Sequence, residues 1–204
     1  MTSQRTEVTS GTAPTSRCLR ALVWNRRDSP GSEYFELRES TDGWMLAGSV
    51  VLAEGGLPYA VDYTVLCDRQ WLTHEARILL KRGDVEQSLT LRVDAQRRWW
   101  RGGDELPQFR GCSDVDLSFT PSTNTLPIRR LSLEVGQGSD VTAVWVRMPD
   151  LSLEPLPQRY TRLTSTRYRY ESRGGSFVAE VETDELGLVL NYPPGWERVA
   201  FTKR

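Results

Sequence analysis

WMLAGSVVLA (44–53), YAVDYTVLC (59–67), LTHEARILLK (72–81) and VEQSLTLRV (85–93) decide the fold, because all four carry the two-residue period that a pleated strand imposes. In the second run Tyr59, Val61, Tyr63, Val65 and Cys67 share one face, and Ala60, Asp62 and Thr64 take the other. In the fourth, Val85, Leu89, Leu91 and Val93 oppose Glu86, Ser88, Thr90 and Arg92. In the third, Leu72, His74, Ala76, Ile78 and Leu80 oppose Thr73, Glu75, Arg77 and Lys81. The first run is apolar on both sides, Trp44, Leu46, Val50 and Leu52 against Met45, Ala47 and Val51, which predicts a central strand covered on both faces. Glu54-Gly55-Gly56, Asp68-Arg69-Gln70 and Arg82-Gly83-Asp84 separate the runs with turn chemistry, so neighbours pair as antiparallel hairpins.

Working outward, further strands are predicted at 115–119, 130–135, 141–147, 162–171, 177–183 and 188–192, and no window holds a 3.6-residue period for ten positions. The expected class is all-β and antiparallel, with little helix. A dozen or more strands do not stay one flat sheet, so they are expected to curl into a β-barrel or a deep half-barrel. Residues 1–17 are Ser/Thr-rich and aperiodic and read as a loosely attached arm, with 18–204 as a single domain.

Lys and Arg number 26 against 27 Asp and Glu, so no global field draws the chain to nucleic acid or to an anionic membrane. No apolar run is long enough for a signal segment or a membrane span, which leads to the expectation of a cytoplasmic protein without stable membrane insertion. Cys18, Cys67 and Cys112 lack CxxC spacing and read as reduced structural thiols. His74 is the single histidine, and no GxSxG, HExxH, Walker or GxGxxG pattern is present, so neither a metal nor another cofactor is expected.

Chemistry concentrates in GCSDVDLSFTPSTNTLPIRRL (111–131). Asp114 and Asp116, two apart in a strand, send both carboxylates to one face roughly 7 Å apart. They suit a cation or sugar hydroxyls, or a buried clamp closed by Arg129 or Arg130. Tyr168 and Tyr170 share the face of Arg162, Thr164 and Thr166, a polar-aromatic strip that reads as the wall of a cavity.

The 111–131 segment resembles the signature of the bacterial putative glycolipid-binding family, once catalogued as a domain of unknown function. The resemblance continues through Gln158–Thr161, the Tyr168 and Tyr170 pair, and the Gly-Leu-Val-x-x-Tyr-Pro at 187–193. It implies a barrel-like fold similar to bacterial lipoprotein carriers, which hold acyl chains in a concave face. The expected function is non-catalytic binding of an amphiphile, a glycolipid, in a pocket of a few hundred Å³ lined by aliphatic side chains. Trp44, Tyr63, Asp114, Asp116, Arg129, Trp145, Tyr168 and Tyr170 are the candidate ligand contacts. The alternative is an enzyme acting on a lipid-like or sugar-like molecule, with Asp114 or Asp116 as acid/base and Arg129 or Arg130 holding an anion.

Overall fold

The computed structural model describes residues 16–202, whose strands form one sheet. The first half contributes β1 (Arg17–Arg26), β2 (Gly31–Glu39), β3 (Trp44–Glu54), β4 (Leu57–Cys67), β5 (Thr73–Arg82), β6 (Val85–Val93), β7 (Trp99–Arg101) and β8 (Asp104–Glu105). The second contributes β9 (Asp114–Leu117), β10 (Gly138–Arg147), β11 (Ser152–Arg162), β12 (Arg167–Ser172), β13 (Phe177–Thr183), β14 (Val189–Tyr192) and β15 (Trp196–Phe201). Their spatial order is β8-β7-β6-β5-β4-β3-β2-β1-β15-β14-β13-β12-β11-β10-β9. Thus β1 and β15 meet in mid-sheet, while β8 and β9 are free edges and no barrel closes. Every neighbouring pair is antiparallel except β9 and β10.

The sheet curls until β9 meets the first half. Arg97 ties them, donating to the Thr73 carbonyl at 2.8 Å and to those of Cys112 and Ser113 at 3.1 and 2.6 Å. As a result β9 and the 143–146 stretch of β10 that pairs with it are covered on both faces. Val115, Leu117, Val144 and Val146 enter the main core, each worth roughly 1.5–3 kcal/mol on burial. The opposite face carries Asp114 beside Ala143 and Asp116 beside Trp145. The expectation that strand 44–53 is doubly covered is corrected, since outward Val51 is 60% exposed.

Other departures have local causes. His74 was grouped with the inward side chains, but a register shift after Leu66 pairs Cys67 with Thr73, so Thr73 is buried and His74 faces solvent. The segment predicted as a strand at 130–135 begins as the end of α1 (Thr125–Leu131). Pro127 lies in its first turn, where a missing N–H costs nothing, and Ser132 ends it in a left-handed conformation at φ 45°. Seven residues are too few to show a helical period. The 162–171 run is two strands joined at a turn, with Arg162 opposite Tyr168. The strand at 152–162 is concealed in sequence by Pro155 and Pro157. These lie where β11 has β10 on one side and no β12 partner on the other, so the absent N–H groups are tolerated.

The arm assigned to residues 1–17 falls mainly outside the described residues. At its end Ser16 accepts two hydrogen bonds from Arg38, and Arg17 already belongs to β1. Deleting residues 1–15 is expected to leave the melting temperature within a few degrees, as differential scanning calorimetry would show. A larger loss would mean that these residues pair with the sheet.

Candidate functional site

A cavity of about 380 Å³ opens on the second half of the sheet, bordered by Trp145, Tyr170, Phe177, Tyr192 and Trp196. The register places them there: Tyr170 and Ser172 oppose Ala179 and Phe177, while Tyr192 opposes Trp196. Tyr170, Phe177 and Tyr192 hold one another edge to face, with centroids 5.9–6.3 Å apart and planes at 66–79°. Trp145 is fixed by the guanidinium groups of Arg147 and Arg173, 5.0 and 4.8 Å from its ring.

Asp116 provides the charge of this pocket. Gln158 Nε2 donates to its Oδ2 at 2.6 Å and to the Tyr170 hydroxyl at 3.0 Å. The other carboxylate oxygen accepts no hydrogen bond among the described residues. Burial pushes the Asp116 carboxyl up to about 6, with Gln158 opposing and the charge of Asp114 adding to the rise. Asn124 also lines the cavity, positioned by the Tyr160 hydroxyl donating to its Oδ1 at 2.9 Å and by its own amide donating to Pro121 O at 3.1 Å.

Asp114 is a structural group. Arg130 grips both of its oxygens, through Nε at 3.2 Å and through Nη2, with the side chains 2% and 16% exposed. Burial still raises the Asp114 carboxyl, opposed first by Arg130 and then by Arg97. A clamp therefore exists, but it joins Asp114 to Arg130. Asp116 is held by an amide, and Arg129 lies elsewhere, its guanidinium 5.5 Å from the Trp71 ring.

A second polar centre lies behind the pocket. Glu33, on the inward face of β2 beside Phe35 and Leu37, is buried and receives the Tyr63 hydroxyl and, at 2.9 Å, the Thr120 hydroxyl. Tyr63 reaches Ser122 at 2.6 Å, while Oε2 of Glu33 has no partner among the described residues. Burial pushes the Glu33 carboxyl up to about 8 against those two hydrogen bonds, which favours its protonated form. A Cβ at position 48 would lie 2.4 Å from the Tyr63 ring and 2.6 Å from Glu33, so Gly48 makes room for the network.

Of the residues expected at a site, the structure brings together Asp116, Trp145 and Tyr170. Tyr63 belongs to the Glu33 network. Trp44 stacks on Trp71 at 4.7 Å and 11°, away from the pocket. Tyr168 and Arg129 line a separate cleft. Sequence reasoning gave no role to Gln158, Phe177, Tyr192 or Glu33. For Glu33 a signal was present, a lone acid at an inward position of an apolar strand face. A wider groove, about 880 Å³ beside Arg110, Arg130 and Arg159, has those three charges paired with Glu105, Asp114 and Asp140. Among the described residues no cluster of three or more His, Cys, Asp or Glu could hold a metal ion, and no helix is long and apolar enough to cross a membrane.

Residues 21–198 match the model of the family described as "Putative glycolipid-binding". A solved structure, that of a DUF1089 family protein from Pseudomonas aeruginosa, is 32% identical with a TM-score of 0.75, the match covering 96% of this chain and 100% of that one. No curated protein matches the chain. With a match that takes in the strands of both halves together with the 111–131 segment, the chain belongs to the putative glycolipid-binding family.

Proposed function

We propose that the chain binds a glycolipid without transforming it, and that the glycosyl part enters the pocket at Asp116. The observation that carries this reading is the pairing of a rigid aromatic border with one carboxylate oxygen left without a partner. Ring faces and edges suit the C–H surfaces of a sugar, and carboxylate, amide and hydroxyl groups suit its hydroxyls. The volume falls within the roughly 300–1,000 Å³ of small-molecule sites. Its lining differs from the aliphatic one expected for an acyl chain: Leu117 and Leu156 stand among Asp116, Ser118, Asn124, Ser172 and Arg173. On this reading Asp116, Trp145 and Tyr170 touch the ligand, Gln158 orients Asp116, and Asp114 serves the fold. The chain acts as one domain, and the buried thiols of Cys67 and Cys112 fit a reducing cytoplasm.

Native mass spectrometry of protein purified from its own host is expected to show a glycolipid adduct that organic solvent extracts. Tyr170→Ala, folded by circular dichroism, is expected to retain about a tenth as much or less, the loss of one aromatic anchor being worth on the order of 2 kcal/mol. No adduct, or equal occupancy in the variant, would overturn the reading.

The enzyme alternative draws on one observation, the raised carboxyl of Asp116, which suits a proton donor near neutral pH. Asp114 and Arg130 are closed on each other and Arg129 lies in another cleft, so the expected catalytic set is not assembled. A turnover that falls as pH rises through about 6, and is lost in Asp116→Asn while binding persists, would favour it.

A further inference from the structure

The cleft lined by Arg129 and Tyr168 has a volume of about 730 Å³ and contains three arginines and three acids. Two of those acids are committed elsewhere. Asp184 receives the N–H groups of Leu186 and Leu188 at 3.0 Å each and pairs with Arg198 at 2.6 Å. Glu185 pairs with Arg20 at 3.0 Å. That leaves Glu182 as the one acid of the lining without an ion pair among the described residues, against two arginines, Arg129 and Arg162, that also have none.

Those two guanidiniums differ in how they are held. Arg162 is caged by carbonyls, donating from Nε to Thr164 at 3.1 Å, from Nη1 to Leu133 at 2.7 Å and from Nη2 to Ser165 at 2.8 Å. Carbonyl dipoles fix the group without neutralising it, and two of its five N–H donors remain unused. Arg129 donates once, from Nη1 to Glu185 O at 3.4 Å, while its Nε is buried without a partner. With Nε closed off from the cleft, three of its four Nη donors remain unused. Fastening the 163–166 turn to the end of α1 would explain the bonds of Arg162, and the Trp71 ring 5.5 Å away supports the Arg129 guanidinium, but neither uses the remaining Nη donors of Arg129.

We infer that this cleft is a phosphate site, taking the phosphate group of a phosphate monoester or of free phosphate. Guanidinium forks recognise phosphate bidentately. Here they come from two separate elements, the end of α1 and the end of β11, with Ser132 and Thr166 also in the lining. A tetrahedral group with oxygens pointing several ways meets donors arriving from different sides, whereas a planar carboxylate is served by one fork. The site stands apart from the aromatic pocket and does not depend on the glycolipid reading.

The test is calorimetric titration of the full chain, at fixed ionic strength, with inorganic phosphate and separately with dihexanoyl phosphatidate. Saturable binding of either is expected, weakened about tenfold or more in Arg129→Gln, an effect of about 1.4 kcal/mol. Arg129→Gln, which gives up the Trp71 contact, is expected to stay folded with a melting temperature within a few degrees of the wild type. Arg162→Gln is a companion variant only if it folds, since its cage is also structural. Tighter binding of phosphatidate identifies a lipid headgroup and tighter binding of phosphate a free anion. Both uphold the site. Tyr170→Ala is expected to keep phosphate binding, which separates failure here from failure of the aromatic pocket. No saturable binding of either probe, binding within twofold of wild type in Arg129→Gln, or loss of phosphate binding in Tyr170→Ala would overturn the inference.

Discussion

Asp114→Ala is expected to lower the unfolding free energy by roughly 3–5 kcal/mol, because it strands a guanidinium that the fold has already removed from water. Asp114 is 2% exposed and Arg130 16%, so the carboxylate cannot turn to solvent without moving β9 and the guanidinium loses a largely buried partner. The double change Asp114→Leu with Arg130→Met removes both charges and is expected to cost less than Asp114→Ala alone, a coupling that marks direct pairing. Asp116→Ala is expected to be milder, since its partner Gln158 is neutral. Urea unfolding of these proteins, together with the single variants Asp114→Leu and Arg130→Met, would show this. A loss below about 1 kcal/mol for Asp114→Ala, or strictly additive losses in the pair, would contradict the clamp.

The second large effect concerns pH. The Glu33 carboxyl rises from 4.5 to about 8 on folding, so between those values the unfolded chain has released a proton that the folded chain keeps. Stability therefore falls as pH rises through this window, by roughly 4–5 kcal/mol in total at 1.36 kcal/mol per unit, and levels off above it. Asp116 adds a decline of the same sign from 3.8 to about 6 and the raised Asp114 carboxyl adds another, so the share of Glu33 between pH 6 and 8 is the part that its replacement removes. Glu33→Gln is expected to flatten that upper segment and to exceed the wild type in stability at pH 8. Melting temperatures of both proteins at half-unit pH steps would test it. Parallel curves from pH 6 to 8 would mean that Glu33 folds ionised.

The strands of 44–93 were legible because each has one buried face and short Gly or Asp turns, so a two-residue period survives in the sequence. Strands were also expected at 115–119 and 141–147, where β9 and β10 lie, but their cover on both faces was not legible, since an apolar side packs against the first half while acids and Trp145 occupy the other. Nothing local says which strand of a curled sheet will roll inside, and β3, with the more apolar sequence, ended half exposed. At the site, spacing showed that Asp114 and Asp116 share a face. Which arginine closes on which acid depends on α1, a seven-residue helix whose axis sends Arg130 to β9 and Arg129 towards Trp71. Tyr168 and Tyr170 were visible as a pair, but the turn at 163–166 folds Arg162 back opposite Tyr168, placing Tyr168 in the arginine cleft and Tyr170 in the aromatic pocket.

The central claim is that the pocket at Asp116 recognises a sugar. It is tested most directly by tryptophan fluorescence titration with two short-chain lipids that share an acyl chain, one glycosylated and one bearing a bare hydroxyl. The account predicts saturable quenching by the glycosylated lipid alone, with Trp145 and Trp196 reporting, and an affinity about tenfold weaker in Asp116→Ala. Equal binding of the two lipids, or an affinity unchanged in Asp116→Ala, would contradict it.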